Sequence, residues 1–264
     1  MTRSPLGSLA PLGGCRFENI ENLVFLRATG STNEVGRDIA ARMLAEDNEI
    51  LPTVIVAARQ EGGRGRSGRR WESPEGSLAV SVLLPWPETP RRVRLPLEIG
   101  IPVAQWLSKA FGIDVRLKWP NDLMVAGRKL GGILIETRQG KEGEGTAVVG
   151  VGLNATTPQE AFDRLALTGA TSLLVAGAKA EALVGDRPVL ALLDAIDAAI
   201  GSKPDGLEAA FASVSAHAAG ETIVVHDGPK RLVGTYQGVT ADGFLRLRTA
   251  SGDEVVLSGE VESF

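Results

Sequence analysis

After the polar quartet Ser31-Thr32-Asn33-Glu34, apolar residues return every fourth position at Val35, Ile39 and Met43. That stripe predicts an amphipathic helix ending near Asn48. Ser31 and Glu34 have capping-box spacing, in which a hydroxyl and a carboxylate serve the orphan amides of the first turn. The pattern then turns to strands, with β-rich runs at Thr53–Ala58 (TVIVAA) and Leu78–Leu84 (LAVSVLL). Arg94–Phe111 returns to helical spacing, with Pro96 and Pro102 blurring its limits. Four short β runs follow, Val115–Trp119, Leu123–Ala126, Gly131–Glu136 and Ala147–Leu153. Links this short favour a mixed or antiparallel sheet over repeated βαβ crossovers. Two helical stretches come next, near 158–167 and 188–200, the second with an apolar stripe of Val189, Leu192, Leu193, Ile196 and Ile200.

From Glu221 the runs ETIVVHD, RLVGTYQGVT, GFLRLRT and EVVLSG are parted by Asp227-Gly228, Asp242-Gly243 and Ser251-Gly252-Asp253. Strands and turns at this spacing predict a small β-barrel, too small to be stable alone and therefore packed on the main domain. At the other end, Pro5, Gly7, Pro11, Gly13 and Gly14 interrupt any period, so residues 1–16 read as a flexible lead. The expected division is a flexible N-terminal lead over 1–27, an α+β domain with a mixed or antiparallel sheet flanked by helices over 28–217, and a C-terminal barrel over 218–264.

Composition narrows the function. The chain has 264 residues, 44% hydrophobic and 23% charged, which excludes wholesale disorder. A formal net charge of -4 gives no global basic field for nucleic acid. The lone Cys15 excludes an intramolecular disulfide and a multi-cysteine zinc site, and His217 and His226 lie too far apart for a helical ligand pair. No apolar run reaches the roughly 18 residues needed to cross a membrane, and the first residues lack a signal-peptide core, so the expected setting is the cytoplasm.

Four segments carry candidate chemistry. Gly63-Arg64-Gly65-Arg66-Ser67-Gly68-Arg69-Arg70-Trp71 spells G-x-G-x-x-G, but Trp71, Pro74 and Gly76 follow where a dinucleotide fold needs a helix. Glycines there let amides approach an anion, and guanidinium forks suit phosphate or carboxylate, so the segment reads as a mobile loop that orders around an anionic ligand. A solvated basic loop is the plainer alternative. In Lys118-Trp119-Pro120-Asn121-Asp122 the amide can read a base or ribose edge and the carboxylate can hold Mg²⁺ or a ribose hydroxyl; an Asx turn would need the same residues. Arg128-Lys129-Leu130-Gly131-Gly132 offers a flexible point charge beside paired glycines, or a snorkelling surface lysine. Finally, the alternating glycines of Gly150-Val151-Gly152-Leu153-Asn154 predict a ligand lying flat against a strand.

Taken in this order, Ser31-Thr32-Asn33, Gln60–Trp71, Lys118–Asp122, Arg128–Leu134 and Gly150–Asn154 resemble the biotin protein ligases, from about Thr29 to the end. The resemblance implies a catalytic domain related to class II aminoacyl-tRNA synthetases, followed by an SH3-like barrel. It implies that Ser31, Thr32, Asn33, Gln60, Gly63, Arg64, Gly65, Arg66, Trp71, Lys129 and Gly132 bind biotin. Arg66, Trp71, Lys118, Asn121, Asp122 and Asn154 would bind ATP, with Asp122 as a Mg²⁺ contact. Arg64, Arg66 and Lys129 would be catalytic. Larger bacterial members carry an N-terminal winged helix-turn-helix; only about thirty residues precede Ser31 here, so no DNA binding is expected.

The implied reaction joins biotin and MgATP as biotinyl-5′-AMP, then transfers the acyl group to a lysine. The acceptor would be the biotin carboxyl carrier protein of acetyl-CoA carboxylase, or another biotin-dependent carboxylase. No membrane partner is expected, and family members occur both as monomers and as homodimers. Two rivals are a lipoate ligase and a nucleic-acid module using Arg64–Arg70 and Arg91–Arg94.

Overall fold

In the computed structural model, which describes residues 16–85, 91–139, 145–202 and 206–262, the first seven strands make one sheet. They are β1 (Asn22–Leu26), β2 (Thr53–Ala57), β3 (Ser77–Pro85), β4 (Arg116–Lys118), β5 (Asp122–Val125), β6 (Arg128–Gln139) and β7 (Gly145–Asn154). Their order is β1-β2-β3-β7-β6-β5-β4, with β1 and β2 parallel and the other neighbours antiparallel. Five helices accompany them: α1 (Thr32–Ala45), α2 (Arg91–Phe111), α3 (Gln159–Arg164), α4 (Arg187–Gly201) and α5 (Leu207–Val214).

The two-residue period of the strands sorts their side chains between two faces. Val54, Val56, Val80, Val82, Val149 and Val151 share the main core with Leu97, Ile101, Leu192 and Ile196 of α2 and α4. Ile55, Leu83 and Val148 face the other way and pack with Ala40 of α1. Gly36 lets α1 come down on that face, since a Cβ there would stand 2.9 Å from a Val148 methyl. Beyond the N-terminus of α1 the same face carries small residues in register. Ser81 lies opposite Gly150 and Ala79 opposite Gly152. Gly152 in turn lies opposite Gly132, and Gly132 opposite Asp122. The sheet therefore has a helix-covered end and a shallow floor on one face.

The C-terminal strands β8 (Thr222–Asp227), β9 (Lys230–Val239), β10 (Leu245–Thr249), β11 (Gly252–Val256) and β12 (Glu260–Val261) form an antiparallel sheet in the order β11-β10-β9-β8-β12. The whole is an α+β protein whose C-terminal sheet is consistent with an SH3-like domain. As expected, this sheet packs on the main domain. Leu245, Leu247, Val256 and Val261 belong to the same core as Leu97 and Leu207, and Trp119 Nε1 donates to Gly243 O at 3.0 Å.

Three expectations change. The lead expected over 1–27 contains β1, and the backbone amides of Glu18 and Asn19 donate to the Asp197 carboxylate of α4. Residues 1–15, with Cys15, lie outside the described residues, as do the side chains of Arg91 and Arg92. α5 was not anticipated, because eight residues with buried Leu207, Phe211 and Val214 are too few to show a period. The helix expected over 158–167 is six residues long and ends before Ala166, which has φ +54°.

Candidate active site

The floor of small residues is walled on one side by the start of α1. Ser31 takes the N-cap position with extended backbone, but its hydroxyl makes no capping bond and Glu34 pairs with Arg64 and Arg37. The capping box expected there is absent. Thr32 and Asn33 turn onto the floor, only 3% and 4% exposed. The Thr32 amide donates to Gln60 Oε1 at 2.9 Å, and Asn33 Nδ2 donates to Glu136 Oε2 at 2.8 Å.

Residues 63–71 fold back over this floor as a flap. Gly65 N donates to Arg69 O at 2.7 Å and Trp71 N to Gly63 O at 3.0 Å, so the strands of the flap close at Gly63. A Cβ at Gly63 would lie 2.4 Å from Trp71 O, which makes this glycine a requirement of the closure. Between them only Arg66–Gly68 form a 3₁₀ turn, in place of the helix a dinucleotide motif opens. Arg66 Nη1 donates to Gly259 O at 3.1 Å and Asn121 Oδ1 at 3.4 Å, and Arg69 pairs with Glu260. The loop before β12 and the start of that strand therefore hold the flap down. Burial lowers the Arg66 pKa from its ordinary value, with the charges of Glu260 and Asp122 opposing that drop.

The third wall comes from the β4–β5 turn and β6. Asp122 meets Lys129 Nζ at 2.6 Å and Lys118 Nζ at 3.7 Å. Asn121 Nδ2 donates to Ile133 O at 2.7 Å, which fixes its carbonyl oxygen toward Arg66. The Trp119–Pro120 peptide is cis. Burial pulls the Lys118 pKa down, Asp122 resists, and the charge of Lys129 adds to the fall. Lys129 Nζ also stands 5.8 Å from the Trp71 ring centroid, within cation–π range.

These walls enclose a cavity of about 170 Å³ lined by Ser31, Thr32, Asn33, Gln60, Arg64, Gly65, Arg66, Trp71, Asn121, Asp122, Lys129 and Gly132. Arg69, Arg70, Leu134 and Gly150 also line it, none of them among the expected site residues. Five cationic side chains and one carboxylate make the cavity an anion receptor. A second cavity, of about 300 Å³, shares Arg69, Asn121, Asp122 and Lys129 with the first and contains Lys118.

Three expected site residues stand outside the first cavity. Lys118 faces the second and donates to Val261 O at 3.3 Å. Gly63 shapes the flap from behind. Asn154, expected at the nucleotide, is buried with Ser77 Oγ donating to its Oδ1 at 3.1 Å and its Nδ2 donating to Thr171 O at 3.0 Å. The flat ligand expected on Gly150 and Gly152 is also replaced by the protein's own side chains. A Cβ at Gly150 would lie 2.2 Å from Asn33 Oδ1, and one at Gly152 would lie 2.6 Å from Trp71 Cε2. Trp71 Nε1 is buried there with no hydrogen-bond partner among the described residues.

Metal binding was also expected at Asp122. Its carboxylate is already balanced by two ammonium groups, and no cluster of three His, Cys, Asp or Glu side chains occurs among the described residues. These residues do not form a resident metal site. A divalent ion held largely by nucleotide phosphates needs no such cluster. His217 and His226 pair with Glu221 and Glu262; neither lines the first cavity, whereas His226 lines the second.

Residues 31–154 match the biotin/lipoate A/B protein ligase family, and residues 219–262 match the biotin protein ligase C-terminal domain. The biotin–[acetyl-CoA-carboxylase] ligase of Paracoccus denitrificans is 30% identical over 216 residues, covering 78% of this chain and 88% of the relative. The bifunctional ligase/repressor BirA of Escherichia coli is 44% identical over 136 residues, 50% of this chain and 40% of that protein. The match to the bifunctional ligase/repressor of Bacillus subtilis likewise spans 46% of that relative, so the chain covers under half the length of these proteins. Among solved structures, the biotin protein ligase from Aquifex aeolicus in complex with biotin and ATP superposes with a TM-score of 0.68 at 29% identity, covering 92% of this chain and 98% of that one. No helix among the described residues is long and apolar enough to cross a membrane.

Proposed function

The chain belongs to the biotin/lipoate A/B protein ligase family, and from that premise we propose that it is an ATP-dependent ligase that attaches biotin to a carrier protein. The observation that carries this reading is the pair of adjoining cavities, which share Arg69, Asn121, Asp122 and Lys129 beneath one arginine-rich flap. A vitamin acid in the smaller cavity and a nucleotide reaching into the larger would meet at that shared wall.

The reaction has two steps. The biotin carboxylate attacks the α-phosphate of ATP, forming biotinyl-5′-AMP and releasing pyrophosphate. A lysine ε-amine of the acceptor then attacks the acyl carbon and AMP leaves. Neither step needs a nucleophile from the enzyme. Two anions must instead be brought together, so positioning and charge neutralisation carry the catalysis. Arg64, Arg66 and Lys129 are the groups proposed for that work. Ser31, Thr32, Asn33 and Gln60 would hold the biotin rings, with Trp71 closing over the intermediate. Asn121, Asp122 and Lys118 would serve the nucleotide. Mg²⁺ would enter on the phosphates and neutralise their charge. The natural acceptor is the biotin carboxyl carrier protein of a biotin-dependent carboxylase. The seven-stranded sheet, β1 included, with its helices would form the catalytic domain, and β8–β12 the C-terminal barrel.

Biotin-dependent exchange of pyrophosphate into ATP tests the first step. Biotin should support exchange and lipoate should not. Arg66→Ala and Lys129→Ala should each lower kcat/KM by about 30- to 1,000-fold, the effect of losing about 2–4 kcal/mol of transition-state stabilisation. Wild-type rates in both variants, or exchange driven by lipoate instead, would overturn the assignment.

A further inference from the structure

Behind the Thr32–Gln60 wall runs a chain of hydrogen bonds whose members do not all reach the cavity. Arg37 Nη1 lies 3.1 Å from Glu136 Oε1, and Asn33 Nδ2 donates to Glu136 Oε2 at 2.8 Å and to Leu134 O at 3.4 Å. Ser81 Oγ, fully buried, lies 2.7 Å from Asn33 Oδ1 and 2.7 Å from Thr32 Oγ1. Thr32 Oγ1 is also 3.2 Å from Gln60 Oε1. Glu136, Ser81 and Arg37 are not in the cavity lining, whereas Thr32, Asn33 and Gln60 are.

The direction of this chain follows from counting protons. An ionised carboxylate only accepts, so the Asn33 amide must turn its NH₂ toward Glu136 and its carbonyl toward Ser81. The carbonyl also only accepts, so Ser81 gives it the single hydroxyl proton. Thr32 must then donate to Ser81 Oγ, because a 2.7 Å contact between two hydroxyl oxygens needs a proton between them. That leaves Thr32 Oγ1 with lone pairs alone for the cavity. Gln60 Oε1 already accepts the Thr32 amide, and its Nε2 has one long contact, 3.5 Å to Ser73 Oγ. The wall thus shows an acceptor at Thr32 Oγ1, the complement of a ring N–H.

We infer that Glu136, braced by Arg37 and acting through Asn33 and Ser81, is a positioning residue. It fixes Thr32 as a hydrogen-bond acceptor and so selects an acid whose head group carries a ring N–H, as a cyclic urea does. This rests on the proposed reading of the site and adds to it the source of discrimination against acids with no such donor. Lipoate, with a dithiolane ring, is one of these. A pocket built to pair with a substrate N–H rejects analogues lacking it because its own acceptor is left bare.

The test is Glu136→Gln, which keeps the shape but lets a side-chain NH₂ face Asn33 and the amide reverse. Pyrophosphate exchange is followed with biotin and with the two cyclic-carbamate analogues in which ring oxygen replaces one ureido N–H. The wild type should prefer biotin over at least one analogue by about tenfold or more, the usual worth of one unmade buried bond. Glu136→Gln should raise KM for biotin about tenfold, bring the preference ratio toward one, and leave kcat and KM for ATP within about twofold. Ser81→Ala, which cuts the chain in the middle, should lower the ratio in the same way and stands in should Glu136→Gln fail to fold. A variant that keeps the wild-type ratio, even with weaker binding overall, overturns the role of Glu136. A wild type that does not use biotin removes the reading of the site as well.

Discussion

At Gly152 an added Cβ would meet the Trp71 indole at 2.6–2.9 Å, and at Gly150 it would meet the Asn33 amide at 2.2 Å. The two glycines are therefore seats for side chains that arrive from the flap and from α1. Gly152→Ala should fold, because a strand accepts alanine, while forcing the indole off the floor at a typical overpacking cost of about 1–3 kcal/mol. Its expected signature is a shifted Trp emission spectrum with exchange activity lowered about tenfold or more. An unchanged spectrum and rate would mean that Trp71 does not rest there in solution. The glycine alternation was legible in the sequence as a strand that something lies flat against. Its occupant was not, because sequence spacing carries no information about which distant side chain comes close. Ser81 and Glu136 were missed for a related reason. Each sits in an ordinary apolar run, and only the register that sets Ser81 against Gly150 and Glu136 against Val148 brings them to Asn33.

Among the elements, the period-two strands and the longer amphipathic helices were readable, since burial on one face imposes their spacing. β1 and α5 were not. β1 is a five-residue edge strand that follows a Gly- and Pro-rich lead, and α5 shows fewer than three turns. The segment between α5 and β8 also joins the C-terminal sheet to the preceding helices. There Glu221 accepts from the Ala218 amide at 2.9 Å and meets His217 Nδ1 at 3.0 Å. Burial pushes the Glu221 pKa up, but the bonds to His217 and Ala218 outweigh it and hold the carboxyl below its usual range. A carboxylate lowered in this way stabilises the fold above its unfolded-state pKa, and that contribution is lost as pH falls through the folded value. The melting temperature of the wild type should accordingly drop more steeply than that of Glu221→Gln between about pH 5 and pH 3. Parallel curves for the two proteins would show that the joint contributes nothing to acid stability.

On the scale of the molecule, five segments far apart in sequence converge on one cavity. A chain of net charge -4 concentrates Arg64, Arg66, Arg69, Arg70 and Lys129 around it. The convergence was anticipated from the motifs, yet the latch on the flap was not. Arg66 and Arg69 reach Gly259 and Glu260, nearly two hundred residues along the chain, and nothing in the barrel sequence marks that strand end as part of a site. By the proposed function, this flap holds a vitamin acid and a nucleotide phosphate on either side of Asp122 and Lys129. A crystal structure with biotin and a non-hydrolysable ATP analogue tests it most directly. Biotin rings should lie against Thr32 and Gln60, with Arg66 and Lys129 touching the facing carboxylate and phosphates. Density for both ligands away from these residues, with the flap turned to solvent, would contradict it.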